Sequence, residues 1–224
     1  MKIQRVEIVT SNFEKTIQFY HETLGFSLLK KNDVLAELEI GNSILVFRNE
    51  IEANGHFYHF AFNIYVNMFQ KAKQWLSQRV CLLKEDEQDE IDFGGRTQAN
   101  SCYFEDPSGN IVEFISRRQT SPYADEPEFT LKHIIEISEI NLTTENIQEY
   151  AKKLSKIGIQ VRDNEELSLQ HYLNFMGKYE DGSFILLGPP GRRWLFSTKE
   201  AVVSPVTIYT SQGIISNQDK KGGR

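Results

Sequence analysis

The stretch YFEDPSGNIVEFI, residues 103–115, decides how the chain is read. Asp-Pro-Ser-Gly-Asn is a turn signal, and it separates two apolar runs of strand type. In the second run one carboxylate, Glu113, stands among Ile111, Val112, Phe114 and Ile115. Successive side chains of a strand point to opposite faces, so Val112 and Phe114 point away from Glu113. An unpaired buried charge is costly. The spacing therefore predicts that Glu113 looks into a cavity shared with other strands.

Working outward, the same order of elements recurs. QRVEIVT reads as a strand; Asn12 is a helix cap; Phe13, Ile17, Tyr20 and Leu24 recur at helical spacing, and Gly25 supplies the stop. FSLLKK, VLAELEI and SILVFRN follow as a meander, completing a βαβββ unit. Residues 57–115 repeat it: FYHFAFNIYV as strand, FQKAKQWLSQR as helix, an acidic stretch, then the hairpin around DPSGN. RRQTSPYADEPEF reads as a linker. Beyond it EISEINL is a strand. Ile147, Tyr150, Ala151, Leu154 and Ile157 form a helical stripe ended by Gly158, and HYLNFMGKYEDGSFILLG is a hairpin around Asp-Gly. The predicted class is α+β, built of repeated βαβββ modules with curved mixed sheets around a cavity, plus a third, diverged C-terminal module. The predicted division is 1–117 as a domain of two modules, 118–131 as linker, and 132–224 as the third module with a tail.

The chain has 224 residues and a net charge of −6. This is enough chain for a sizeable core, and the charge offers no footprint for nucleic acid or anionic lipid. MKIQRVEIVT is too short and too polar for a signal peptide, and no apolar run reaches the length of a membrane span. Cys81 and Cys102 fit no zinc spacing and no disulfide framework, so both are expected to be small buried thiols. A soluble cytoplasmic protein is expected.

RVEIVTSNFEKTIQFYHETLGF, HFAFNI and GGRTQANSCYFEDPSGNIVEF together resemble the vicinal oxygen chelate superfamily of glyoxalase I, bleomycin- and fosfomycin-resistance proteins and extradiol dioxygenases. The resemblance covers about the first 117 residues; residues 132–210 match its motifs poorly. It implies paired modules curved around a cavity in which a divalent metal binds adjacent substrate oxygens. It also implies one ligand from the first strand of each paired module and one from a last strand. By motif position these are Arg5, His59 and Glu113.

Imidazole and carboxylate suit Fe, Mn, Ni or Zn. Guanidinium does not, since it stays protonated and has no lone pair to give. Glu7, two residues from Arg5 and on the same strand face, is the substitute ligand, and the last strand of module one, ILVF, offers no donor. On β parity His59, Ala61 and Asn63 share the cavity face, which makes Asn63 and Arg5 candidates for binding substrate. Arg96 in GGRT is a third, able to reach an anionic group. The alternative for Glu113 is an ion pair with Arg5 or Arg96, and for His59 a hydrogen-bonded strand histidine.

Tyr58 and Tyr103 are read as core; His21 as surface; His56 and His133 as non-ligands; His171 as opening a strand with no site around it. KEDEQDEID is a solvated loop or a flap over the cavity, and GPPGRRW a tight turn. Two functions follow. One is a metal-dependent lyase or ring-cleaving dioxygenase acting on a small molecule. The other is a metal-free protein that binds or sequesters a small molecule, as bleomycin-resistance members do. The unpaired third module leaves a sheet edge and an apolar face to be covered, by the first domain or by its counterpart in a second chain, and a homodimer is expected.

Overall fold

The computed structural model describes residues 1–51, 55–170 and 172–218; His171 lies outside them. The strands are β1 (Ile3–Thr10), β2 (Leu28–Lys31), β3 (Leu35–Ile40), β4 (Ser43–Asn49), β5 (His59–Ile64), β6 (Ile91–Phe93), β7 (Ala99–Glu105), β8 (Ile111–Arg117), β9 (Ile134–Thr143), β10 (Asn174–Met176), β11 (Phe184–Gly188), β12 (Val206–Thr210) and β13 (Gly213–Ser216). The helices are α1 (Phe13–Gln18), α2 (Phe69–Ser77) and α3 (Ile147–Lys156). They form two curved mixed sheets, in the orders β13-β12-β1-β4-β3-β2 and β10-β11-β9-β5-β8-β7-β6. The class is the α+β arrangement of βαβββ modules that the sequence pattern implied.

The helical stripes form where their spacing placed them. Phe13 and Ile17 are buried on α1, Phe69, Ala72 and Leu76 on α2, and Ile147, Ala151 and Leu154 on α3. Gly25 and Gly158 end the first and third helical segments at φ +82° and +83°, where a side chain would be strained. Asn12 stands at the start of α1 without a capping side-chain bond; its amide instead donates to Pro107 O at 2.7 Å. In the DPSGN turn, Asp106 Oδ1 accepts the backbone N–H groups of Ser108 and Asn110 at 2.8 and 3.0 Å. Its Oδ2 accepts the Tyr20 hydroxyl at 2.9 Å. Thus two separate sequence signals, FY and DPSGN, meet in one buried bond. The main apolar core, including Val6, Ile8, Leu38, Phe47, Phe60, Phe62, Phe104 and Phe114, packs between the sheets and their helices.

The pairing of the modules differs from the expected one. The first strand of module two, β5, pairs antiparallel with β9 of module three, not with β1. The first sheet is module one completed by the β12–β13 hairpin, with β12 antiparallel to β1. Residues 1–117 therefore contribute to two different sheets, and the segment after 131 is divided between them. Of the two coverings expected for the sheet edge of the third module, the structure has the one within the chain: β9 is covered by β5. No helix among the described residues is long and apolar enough to cross a membrane. Cys102 is buried as expected, but Cys81, just beyond α2, is exposed.

The two sheets are tied by Ser43, whose buried hydroxyl donates to Ile3 O of β1 at 2.6 Å and accepts Ile137 N of β9 at 3.0 Å. Ser43→Ala strands a buried N–H, at a cost of about 1–3 kcal/mol. We expect a lowered denaturant midpoint with an unchanged slope; an unchanged midpoint would show that this hydroxyl does not hold β9 in place.

Candidate metal centre and cavity

β5 runs through the middle of the second sheet and all six of its residues are buried. Ala61 lies opposite Glu113 on the parallel strand β8 and opposite Glu139 on the antiparallel strand β9. Paired residues of neighbouring strands project from the same face, so two carboxylates rise on either side of a methyl group. His59, two residues earlier on β5, points the same way. The small side chain at 61 leaves the space in which the three longer ones converge.

His59 Nε2 is 3.4 Å from Glu113 Oε2 and 3.9 Å from Glu139 Oε2. One ligand atom from each of the three lies within 4.8 Å of the others, and all three residues are buried. Atoms bound to a common ion at about 2.1 Å stand roughly 3.0–3.5 Å apart, which the His59–Glu113 separation matches and the His59–Glu139 separation exceeds. His59 Nδ1 lies 3.1 Å from Ile111 O. A carbonyl only accepts, so Nδ1 carries the hydrogen and Nε2 faces the carboxylates, which is how a metal-binding imidazole is commonly oriented.

Charge balance is nearly complete within the cluster. Arg117, on β8, pairs with Glu139 Oε1 and donates through Nε to Gly182 O at 3.0 Å. Burial works against ionisation of Glu139, but the charges of Arg117 and His59 hold its carboxyl below the ordinary value. Burial likewise works against a charged His59, and the two carboxylates overcome it, raising the imidazole to about 9. Two carboxylates are thus met by Arg117 and by a second positive charge, which is a proton on His59 or a cation in its place.

A cavity of about 110 Å³ opens over the triad. Its walls are largely apolar and aromatic, with Phe93, Tyr103, Leu173, Phe175 and Trp194 among them. Tyr103 lies opposite Glu113 in the β7–β8 register, so it belongs to the cavity face and not to the core as its neighbours in sequence suggested. Burial, and then the charges of Glu113 and Glu139, keep its hydroxyl well above the usual tyrosine range. The GPPGRRW segment is indeed a tight hairpin, with Gly191 N bonded to Ala201 O at 2.8 Å, but it also covers the cavity. Trp194 lies 4.8 Å from the His59 ring and Phe196 stacks on Tyr103 at 4.9 Å. The cover is pinned by Glu85, which pairs with Arg193 and accepts Phe196 N at 2.9 Å, and by Lys199, bonded to Glu105 at 2.6 Å and Gly109 O at 2.8 Å.

A sequence model of the Glyoxalase/Bleomycin resistance protein/Dioxygenase superfamily matches residues 2–114, 113 of the 224 in the chain. The chain belongs to this superfamily. A second model, for toxoflavin-degrading enzyme, matches residues 137–192. Among solved structures, a proposed dioxygenase from Bacillus subtilis is 17% identical over 84% of this chain and 63% of its own, with a TM-score of 0.59. Glyoxalase I from Zea mays is 19% identical over 83% of this chain and 66% of its own, at 0.55. The chain thus spans about two thirds of each, and at such identities the likeness shows the fold. An integron cassette protein from the mobile metagenome of the Halifax Harbour sewage outfall is 28% identical over 51% of this chain and 97% of its own, at 0.42.

His59 and Glu113 meet as expected, but the first-strand residue that joins them is Glu139 of β9, not Arg5 or Glu7 of β1. Glu7 is buried in the other sheet, bonded to Arg5 at 2.8 Å and to Arg48 at 2.7 Å. Burial opposes its ionisation, and these two guanidinium groups hold its carboxyl low. Arg5 also pairs with Glu37 at 3.0 Å, and so does not reach Glu113. Asn63 accepts the Ser121 hydroxyl at 2.9 Å and is not among the residues lining the cavity. Arg96 is exposed, facing Asp163 and Glu165 at 3.4 and 3.3 Å. Tyr58 is core, as read, its hydroxyl donating to Pro205 O at 2.6 Å. His21 is exposed, and His133 is buried and accepts Thr130 N through Nδ1 at 3.0 Å. The acidic run is tied down: Lys73 holds Asp89 and Glu90 at 2.5 and 2.6 Å, and Glu85 holds the cover. Glu139, Arg117 and Trp194 were missed. For Glu139 the signal existed, since Glu139, Asn141 and Thr143 alternate with Ile140 and Leu142 as the polar set of β5 alternates with its apolar one.

The raised His59 pKa gives a sign-definite test. Protein freed of metal by chelator gains stability from the charged imidazole fully below about pH 6.5, and loses it as pH rises to about 9. We expect the His59 ring to titrate by NMR near 9, and Glu139→Gln to lower that midpoint by a unit or more. A wild-type midpoint near 6.5 would show that the carboxylates do not face the ring.

Proposed function

We propose that the protein is a metal-dependent enzyme that degrades a small planar molecule, with His59, Glu113 and Glu139 as the metal ligands. The observation that carries this reading is the convergence of three buried donors, one of them an imidazole already oriented by a carbonyl, at the floor of an aromatic cavity. Among the divalent metals the superfamily commonly binds, a set of one imidazole and two carboxylates is best suited to Mn²⁺ or Fe²⁺. Once bound, the metal supplies Lewis acidity toward adjacent substrate oxygens and, as iron, a means of using dioxygen.

The chain's own residues do the rest. His59 would hold the ion through Nε2 only after losing its proton there, so metal binding would strengthen with pH up to about 9. Arg117 fixes one oxygen of Glu139 and leaves the other for the site. Tyr103 stands opposite Glu113 and stays protonated, a donor to any oxygen that develops charge nearby. Trp194 and Phe196 keep water from the cavity. The likeness to toxoflavin-degrading enzyme covers Glu139 and the cavity residues Leu173, Phe175 and Leu186, which supports a degradative reaction over the glyoxalase I type.

A metal-free sequestering protein is the second reading, favoured by the self-balanced charges of His59, Arg117, Glu113 and Glu139. Metal analysis of protein purified without chelator or nickel resin separates the two. We expect about one equivalent of Mn or Fe, bound at least 100-fold more weakly in Glu139→Gln and unchanged in Glu7→Gln. Folded protein that takes up no metal would establish the sequestering reading instead.

A further inference from the structure

Resting on the metal reading, we propose that Arg192 is the receptor for an anionic oxygen pair of the substrate, so that the molecule taken by this cavity is a planar acid. It is bound at one end by the metal triad and at the other by this guanidinium.

Arg192 lines the cavity together with His59, Glu113 and Glu139. Its backbone is fixed in the cover hairpin, where its carbonyl accepts Ala201 N at 2.8 Å. Its side chain is fixed too: the guanidinium carbon lies 4.0 Å from the Trp194 ring, and Nη1 donates to Arg193 O at 2.9 Å. The remaining edge is different. Nε and Nη2 are buried and have no acceptor among the described residues. No carboxylate among the described residues pairs with this guanidinium.

Its neighbours show how unusual this is. Arg193 pairs with Glu85, Arg117 pairs with Glu139 and Gly182 O, and Arg162, which also stacks on an aromatic ring, reaches Glu165. A desolvated guanidinium without a counter-charge is unfavourable, and burial alone lowers the Arg192 pKa to about 10. The Nε and Nη2 edge is the fork that receives the two oxygens of a carboxylate in parallel. Trp194 touches both the His59 ring and the Arg192 guanidinium. The fork and the triad are therefore two ring contacts apart, across walls that suit a flat ligand.

The test uses Mn²⁺-loaded protein and two probes of one shape, 3,4-dihydroxybenzoate and catechol, which share the chelating oxygens and differ in the carboxylate. By calorimetry the wild type should bind the acid at least tenfold more tightly. Arg192→Gln should bring the preference below twofold while leaving catechol affinity and metal content unchanged, and Arg192→Lys, charged but without the fork, should fall between. Equal affinity of the wild type for both probes, failure of either to bind, or a preference that survives Arg192→Gln would overturn the proposal. A parallel comparison of benzoate with benzyl alcohol on chelator-treated protein keeps the two ideas apart. A preference for benzoate that requires Arg192 there, in protein that binds no metal, would uphold the anion receptor and overturn the metal reading.

Discussion

The antiparallel pairing of β5 with β9 is the constraint on which the site depends. It sets Glu139 opposite Ala61, on whose other side the parallel neighbour β8 has already set Glu113. A larger residue at 61 would fill the space in which these carboxylates meet His59. The register also shifts between Ala61 and Phe62, so that Ser138 is passed over in the ladder. A bulge of this kind re-aims the side chains around it. Glu136 and Glu139, an odd number of residues apart, consequently both pair with residues of the cavity face of β5, Asn63 and Ala61.

The same topology explains why only one of the two sheets carries the triad. In the first sheet β1 takes the part of β5, flanked by parallel β4 and antiparallel β12. Glu7 stands where Ala61 does, and its partners are Val46 and Thr207. No second carboxylate arrives, Arg5 replaces the imidazole, and the one buried acid is neutralised by two arginines. At the triad Arg117 is the one arginine that offsets two buried acids among the described residues. One positive charge is left to be supplied from outside the arginine set. A proton on His59 supplies it in the bare protein, and the proposed ion displaces that proton. Buried charges of this kind are tolerated only when paired, and the cluster meets that condition with the His59 proton in place.

Much of this was legible in the chain. The strand of YFEDPSGNIVEFI, the cavity-facing Glu113, the polar parity of His59 and Ala61, and the three helices with their glycine stops all follow from local rules. What was not legible is which first strand lies beside which. Three units share one pattern of polar and apolar alternation, and local pattern cannot choose between β1 and β9 as the partner of β5. That choice is made by contacts distant in sequence, such as the Ser43 hydroxyl between Ile3 and Ile137. Tyr103 was misassigned because its face is set by register against Glu113 and not by the residues beside it. Arg192 and Trp194 sit in a loop of turn-forming residues whose function comes from where it folds back.

The most direct test of the account is anomalous diffraction from crystals of the protein soaked in Mn²⁺. The expected result is one strong peak between β5, β8 and β9, within about 2.0–2.3 Å of His59 Nε2 and of an oxygen from each of Glu113 and Glu139. A peak beside Glu7 and Glu37, or density in which Glu139 turns away from His59 while the fold is intact, would contradict it.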